Sequence, residues 1–299
     1  MRTILGLTGT VLLCAISYAQ SPAQPADAGP AFEVASVKAA PPPEPNRVFS
    51  PRSTGVPGQP GNQDPGRFTA EDYSIPNLIT MAYGIEHYRL SAPPDLNRAI
   101  FNIQAKMPPD TTREQFRLML QNLLAERFGL KVHWEARPME TYELVVAKGG
   151  PKLKDAAPDP PASAGEPARP PARRGPAQLD GNGFPVLPAD WKGTIMMNGK
   201  AMMRAHNETA GQIAAKLAGQ IGHPVTDATG LKGKYDYTLR WADSSGKVTA
   251  DGPAAAQDDD AGPGIFAAIR EQLGLQLESK KGQVQILVVD RVEKTPTEN

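Results

Sequence analysis

Two short stretches decide the fold of this chain: ERFGLKV at residues 126–132 and EQLGLQL at residues 271–277. Each stretch ends an amphipathic segment, passes through a glycine and begins an alternating segment. Glycine readily takes the positive φ angle at which helices end, so this pattern predicts a helix followed by a strand. Because the same transition occurs twice, the sequence predicts two related modules.

The helices that precede these glycines are predicted from their apolar faces. The first is expected over residues 111–128, with Asp110 or Thr111 as its cap and Gly129 at its end. The second is expected over about 264–273. The first helix presents the clearer apolar stripe, with side chains three or four positions apart: Phe116, Met119, Leu120, Leu123, Leu124 and Phe128.

Each glycine is followed by two runs of β-forming residues with a turn between them. The predicted strand pairs are 130–137 with 141–148, and 275–280 with 283–292. Upstream lie a strand, a helix and a strand in each module: 67–70, 75–84 and 100–106, then 200–205, 208–221 and 235–241, with Asn207 as the cap of helix 208–221. The sequence therefore predicts an α+β fold of two related βαβ-αββ modules with mixed sheets, separated by Pro-rich linkers.

The linkers are recognised by their prolines. Residues 39–66 and 151–190 are rich in proline, which fixes φ and removes a backbone donor, so neither stretch is expected to form regular sheet or helix. The acidic run Asp258–Asp260 predicts a further loop. The expected division is a signal peptide at 1–19, an N-terminal strand and linker at 20–66, a first module at 67–150, a disordered insert at 151–199, a second module at 200–294 and a tail at 295–299.

The start of the chain has the features of a secretory signal. Residues 1–19 combine one basic residue, an apolar stretch and a small-x-small end at Ser17 and Ala19. The single cysteine of the chain, Cys14, lies inside this segment, where lipid attachment is the alternative interpretation. Cleavage after Ala19 leaves no cysteine for a disulfide, a thiolate metal site or a nucleophile. The sequence thus predicts an exported, periplasmic or extracellular protein.

Charge and hydropathy exclude two classes of partner. The chain has 32 basic and 32 acidic residues. Such a balance provides no basic surface for nucleic acid. No apolar run after the signal is long enough for a transmembrane segment in the mature chain.

Catalytic and metal-binding motifs are sparse. The four histidines lack the spacing of a metal site, and no Gly-x-Ser-x-Gly elbow occurs, so we predict no metal, no cofactor and no catalytic residue. Asp227 and Asp236 flank the turn at Gly230, and a pocket that unites them with a histidine would favour a hydrolase. Asp227 is otherwise interpreted as a turn residue.

Binding is the better-supported chemistry. Tryptophan side chains are suited to binding surfaces, and the alternative interpretation is that the tryptophans of this chain pack in the hydrophobic core. A free sheet edge can accept an extended peptide as an added strand. The partner is expected to be an envelope protein or peptide. The predicted binding residues are Trp134, Trp241, Tyr235, Asp227 and Asp236.

Several motifs together resemble one family. They are FEVASVK at 32–38, LLAERF at 123–128, VVAK at 145–148 with GPKL at 150–153, PVTDATGL at 224–231, Tyr235-Asp236 and the C-terminal Glu298-Asn299. They are similar to an uncharacterised family of secreted proteins expanded in soil acidobacteria. The resemblance implies export, with relatives in which a similar domain is joined to antirepressor-type membrane metallopeptidases, and it supplies no catalytic residues. Each module is also similar to the short N-terminal interaction domains of secretins and TonB-dependent receptors.

Three functions are compatible with these observations. The first is a non-catalytic binding or interaction module of the cell envelope. The second is an envelope hydrolase that uses carboxylates or a serine. The third is a sensory or regulatory module, which shares the binding chemistry of the first. The sequence favours the first and does not favour an enzyme.

Overall fold

A computed structural model describes residues 29–41, 51–59, 64–156, 179–181, 183–188, 191–197, 199–242 and 263–297. The predicted signal peptide with Cys14, most of the Pro-rich insert and the acidic run Asp258–Asp260 lie outside these residues. All structural statements below concern the described part of the chain.

The described chain contains twelve strands and four α-helices. The strands are β1 (Val34–Ala39), β2 (Arg52–Thr54), β3 (Arg67–Ser74), β4 (Leu90–Ser91), β5 (Ile100–Lys106), β6 (Lys131–Val146), β7 (Lys154–Asp155), β8 (Gly193–Met197), β9 (Lys200–Thr209), β10 (Val225–Asp227), β11 (Lys234–Ala242) and β12 (Leu275–Arg291). The helices are α1 (Ile75–Tyr83), α2 (Arg113–Phe128), α3 (Ala210–Ile221) and α4 (Ile265–Ala268), which continues as a π-helical segment, Ile269–Leu273. Two 3₁₀ turns, His87–Arg89 and Pro94–Arg98, flank β4.

The strands form three four-stranded sheets, with orders β1-β5-β3-β2, β10-β6-β12-β4 and β7-β11-β9-β8. The outer two sheets are antiparallel, whereas the central sheet is mixed because β10 and β4 join it in parallel. The predicted α+β class with mixed sheets is confirmed.

Local sequence explains where the helices begin and end. Thr112 caps α2 and Thr209 caps α3 through matching capping boxes with Gln115 and Gln212. The caps predicted at Asp110 or Thr111 and at Asn207 are therefore wrong, because a side-chain oxygen must reach the amide three residues ahead, inside the helix. Gly129 ends α2 with φ 57°, as predicted.

The centre of the molecule is a long antiparallel ribbon. β6 and β12 pair along their whole length, from Lys131 opposite Arg291 to Val146 opposite Leu275, with one register shift between Val289 and Arg291. The two strand–turn–strand pairs predicted from the sequence are wrong, since each is one unbroken strand whose partner is the other. Pro138 lies at the middle of the ribbon, opposite Gln283. Proline is compatible with this position because the only other described neighbour of β6, the strand β10, pairs with it further along.

The ribbon is shared between two hydrophobic cores. In the first core, α1, α2 and the first sheet pack against Val132 of β6 and enclose Leu287 of β12. In the second core, α3, α4 and the third sheet enclose Leu144 of β6 together with Leu275 of β12. Each core therefore takes side chains from both long strands, and neither is built from one continuous segment of the chain.

Parts of the Pro-rich stretches form strands. β2 lies inside residues 39–66, while β7 and β8 lie inside the insert predicted as disordered at 151–199. The prediction that these stretches contain no regular structure is wrong at these positions. The three strands occupy proline-free segments and add to sheet edges, where a neighbouring sheet supplies their hydrogen bonds.

Candidate functional site

The candidate site lies next to a bulge in β9. The pairing register of β9 with β11 shifts between Tyr235 and Tyr237, and Asn207 takes φ 59°. The Asn207 amide donates to Asp236 Oδ1 at 2.8 Å. A side-chain acceptor thus replaces the ladder partner that the bulge removes. The bulge places His206 beside Asp236, with His206 Nδ1 3.5 Å from Asp236 Oδ2.

The outer edge of β11 is only partly covered. β7 pairs with Tyr235 and Asp236, and its ladder continues where the Ala156 amide donates to the Lys234 carbonyl at 2.8 Å. Further along, the Gln272 side chain takes the place of a strand. Its Oε1 accepts from the Arg240 amide at 2.9 Å, and its Nε2 donates to the Arg240 carbonyl at 2.7 Å.

Thr238 lies between these two covered positions. Residues two apart on a strand direct their N–H and C=O groups to the same side, so the backbone groups of Thr238 face the same edge as those of Arg240. The next position in line from β7 is Lys152, but its amide donates to the Leu273 carbonyl at 2.8 Å. Among the described residues, no group hydrogen-bonds to the edge-facing N–H and C=O of Thr238.

A cavity of about 550 Å³ opens at this gap, and we call it the edge cavity. Such a volume is typical of a small-ligand or peptide side-chain site. Gln272 and Leu273 of the π-helical segment form one wall; π-helical turns are frequent at functional sites. The charged and polar residues around the open edge are Lys152, Lys154, Arg204, His206, Asp236 and Thr238.

Positive charge exceeds negative charge in the edge cavity. Lys152, Lys154 and Arg204 carry three positive charges, against the single carboxylate of Asp236. Lys152 Nζ donates to the Glu271 carbonyl at 2.8 Å and keeps two further N–H donors. Arg204 donates to the Pro188 carbonyl at 3.2 Å. The cavity is therefore suited to an anionic group.

The His206–Asp236 pair offers hydrogen bonds and proton transfer. His206 Nε2 is buried without a hydrogen-bond partner in the described structure. A buried ring nitrogen without a partner is destabilising, so a bound donor or acceptor at this position would be favourable. Among the described residues, no hydroxyl hydrogen-bonds to His206, so the pair lacks the attached nucleophile of a hydrolytic triad.

Behind the cavity wall lies a buried polar cluster of Tyr237, Glu208 and Lys216. The Tyr237 hydroxyl donates to Glu208 Oε2 at 3.3 Å, and Lys216 forms an ion pair with the same carboxylate. Burial raises the pKa of Tyr237 strongly, and the neighbouring Glu208 charge raises this pKa further. The cluster holds Tyr237, which also lines the cavity, in its protonated form.

Of the five predicted binding residues, Asp236 alone lines the edge cavity. Tyr235 and Trp241 are 8% and 7% exposed and pack in the second core. Trp134 is 47% exposed, but it lies near the other end of β6, under the guanidinium of Arg89. Asp227 accepts from the Thr229 amide at 2.9 Å, as expected of a turn residue.

The sequence interpretation missed most of the cavity. His206 received no role, and Lys152, Lys154 and Arg204 were not considered. Alternation along strand 200–205 places Arg204 opposite in direction to the inward-facing Met203 and Ala205, so the outward face of β9 was available as a signal. The approach of Lys152 and Gln272 to this face depends on long-range contacts.

The described part of the chain contains neither a metal-ligand cluster nor a membrane-spanning helix. There, no three His, Asp or Glu side chains converge as metal ligands. No helix among the described residues is both long and apolar enough to cross a membrane.

Comparison with known proteins identifies the family. None of the curated proteins and none of the solved structures matches this chain. Residues 76–292, which contain α1 to β12 and the whole edge cavity, match a single family model. The chain therefore belongs to the family described as "Protein of unknown function (DUF3738)".

Proposed function

We propose that this protein is an exported binding module of the cell envelope that holds an extended segment of a partner protein as an added strand on β11. The observation that carries the proposal is the open edge of Thr238 inside the edge cavity. Main-chain hydrogen bonds to such an edge provide affinity, and the surrounding side chains provide selectivity.

The first sheet supports this interpretation by contrast. In the first sheet, β5 is the equivalent of β11. The Asp72 amide, at φ 57°, donates to Asn102 Oδ1 of β5, just as the Asn207 amide donates to Asp236 Oδ1 of β11. The outer edge of β5 is covered by all six residues of β1, from Val34 opposite Lys106 to Ala39 opposite Phe101. β7 covers only two residues of β11. An added segment would fill the gap at Thr238 that β7 and Gln272 leave in this edge.

The symmetry of the central ribbon supports a duplicated architecture. β10 joins β6 in parallel at Tyr142, and β4 joins β12 in parallel at Leu287. These two junctions are equally far from the central Pro138–Gln283 pair. We infer that the two halves are related repeats, of which one retains a closed edge and the other presents an open one.

Export rests on the signal-like composition of residues 1–19. The same binding activity would suit a sensory protein, because a sensor binds its ligand in the same way and differs only in the response that follows. Deletion of the protein, followed by measurement of envelope-stress transcription, distinguishes a sensor from a purely structural binder.

The test of peptide binding uses a substitution that removes one edge hydrogen bond. Thr238→Pro deletes the outward N–H while leaving the bonds of β11 with β9, and proline is tolerated where the missing N–H faces away from the paired strand. Thr238→Val is the matched control, since it keeps the N–H. An array of synthetic eight-residue peptides is probed with each purified protein.

We expect the wild-type protein and Thr238→Val to bind a common set of peptides, and Thr238→Pro to bind the same peptides at least tenfold more weakly. Circular dichroism verifies that both variants are folded. The proposal is overturned if no peptide is bound, or if Thr238→Pro binds as well as Thr238→Val.

The His206–Asp236 pair is the observation behind a second candidate, an envelope hydrolase, although Asp227 does not join the pair in the edge cavity. This candidate predicts turnover of the bound peptide, or of ester and glycoside substrates, with loss of turnover in His206→Ala. Mass spectrometry of the recovered peptide decides between the two functions, because a binding module returns its ligand intact.

A further inference from the structure

We infer that the edge cavity recognises the C-terminal end of a peptide, with the free α-carboxylate held by Lys152 and Lys154. This inference rests on the proposed function and adds the orientation of the ligand and the chemistry of its end. It follows from three features of the cavity: the direction of β7, the blocked ladder position beside Thr238, and the sign of the surrounding charge.

The direction of the ligand follows from the strand that it extends. β7 is antiparallel to β11, and β1 is antiparallel to β5 at the equivalent edge. A segment that continues the line of β7 at the uncovered position, Thr238, therefore runs antiparallel to β11. Its chain direction leads from the Gln272 end of the cavity towards Lys154.

The ligand must end or turn away at Thr238. The next ladder position, opposite Asp236, is already occupied by Lys154. The backbone of Lys152 lies beside this position, and the Lys152 amide donates to the Leu273 carbonyl. An antiparallel segment thus brings its last residue opposite Thr238. A parallel segment would bring its first residue there instead.

Charge selects between these two ends. Lys152, Lys154 and Arg204 favour a carboxylate over an ammonium group, and Asp236 is largely engaged by Asn207 and His206. Lysine ammonium groups hydrogen-bond strongly to carboxylates. A free C-terminus therefore fits this end of the cavity, whereas an N-terminal ammonium would face three positive charges.

The experiment compares two forms of one peptide. A peptide taken from the array is synthesised as the free acid and as the C-terminal amide, and isothermal titration calorimetry gives the Kd of each. We expect the amide to bind about tenfold more weakly. We also expect added salt to weaken the free acid more than the amide, because salt screens the attraction between charges.

Two substitutions assign the effect to the lysines. Lys154→Gln should weaken the binding of the free acid about tenfold and leave the binding of the amide unchanged. The four Kd values form a double-mutant cycle between the lysine side chain and the peptide carboxylate. Lys131→Gln, at the start of β6, is the control because it changes the net charge equally and lies outside the cavity. We expect it to change neither Kd.

The outcomes separate the inference from the proposed function. If acid and amide bind equally well, and both still depend on Thr238, the peptide-binding function stands and the inference is overturned. A requirement for a free N-terminus would overturn it as well, since the peptide would then run parallel to β11. If neither form binds, the proposed function itself fails.

Discussion

The two halves of the molecule share one backbone arrangement but differ in how the edges of their sheets are covered. Both place a bulged strand before a capped helix, and both hold the bulge with an amide-to-side-chain bond, Asp72 to Asn102 and Asn207 to Asp236. The first half covers its sheet edge with β1, whereas in the second no described residue pairs with the outward edge of Thr238. Under the proposed function, the first half completes a scaffold and the second presents a binding edge.

The hydrophobic cores of the two halves also differ, because the first is apolar where the second contains a polar cluster. The first core contains a cluster of aromatic rings, in which Phe68 and Phe116 are in edge-to-face contact with centroids 4.8 Å apart. Ile103 of β5 is fully buried there. The equivalent position of β11 is Tyr237, which bonds to Glu208. A polar cluster behind the open edge fixes the cavity wall, while the closed half fills the same space with apolar groups.

The largest expected effect tests whether the halves are independent. Leu287 belongs to β12 but is fully buried in the first core. Leu287→Ala should lower the free energy of unfolding by about 2–5 kcal/mol. Because the ribbon joins the cores, the second core should unfold at the same lower denaturant concentration.

Trp241, buried in the second core, reports this transition by fluorescence once Trp134 and Trp191 are replaced by phenylalanine. Val34→Ala, at an exposed position, is the control and should change stability by less than about 0.5 kcal/mol. Separate transitions for Trp241 and for total secondary structure would show that the cores unfold independently.

The second prediction compares the glycines that end α2 and the π-helical segment. Gly129 has φ 57° and Gly274 has φ 64°, so an added side chain is strained at both, by about 1–2 kcal/mol. Around Gly129 the nearest atom to a Cβ is Glu293 Cγ at 3.8 Å. At Gly274 the Cβ would lie 2.1 Å from the Gly150 carbonyl oxygen and 2.8 Å from the Lys152 amide nitrogen.

Gly274→Ala should therefore destabilise the protein more than Gly129→Ala, and it should also displace Lys152 and weaken peptide binding. Urea denaturation measures the first effect and calorimetry the second. Equal losses of stability in the two variants, with unchanged binding, would contradict the expected effect of Gly274 on the position of Lys152.

The smallest expected effect concerns pH and the polar cluster. The pKa of Tyr237 is raised in the folded protein, so above pH 10 the unfolded chain loses this proton while the folded protein retains it. The contribution of Tyr237 is thus complete below pH 10 and falls as pH rises, by about 1.4 kcal/mol per pH unit.

Tyr237→Phe removes this dependence and leaves the other tyrosines in place. The difference in unfolding free energy between wild type and variant, measured from pH 8 to pH 11, should be constant up to pH 10 and then decline. A difference that stays constant to pH 11 would mean that Tyr237 titrates normally in the folded protein.

Local patterns predicted the helices better than the strand pairing. The apolar stripe of α2 and the glycine at its end were read correctly because both depend on residues within a few positions of one another. The caps were misplaced by one or two residues, since several neighbouring polar residues could each serve. The turns predicted at Pro138 and near Gly282 were wrong because both residues lie within long strands instead.

The candidate site was predicted only in part, and the reason is physical. Asp236 was named from its position beside a turn, but its partner His206 comes from another strand and is placed by the bulge. Tyr235 and Trp241 were proposed for binding, yet alternation along β11 directs both into the core. Which face of a strand is buried depends on what packs against it.

The amino-acid sequence by itself determined the helices, their glycine ends and the α+β class, because turn chemistry and periodicity act over one or two helical turns. The tertiary structure decided that β6 pairs with β12, that each core receives side chains from both strands, and that β7 stops short of Thr238. These features depend on contacts between residues more than 80 positions apart, as between Lys152 and Leu273, and such pairings are chosen by the apolar surface and hydrogen bonds of the whole fold.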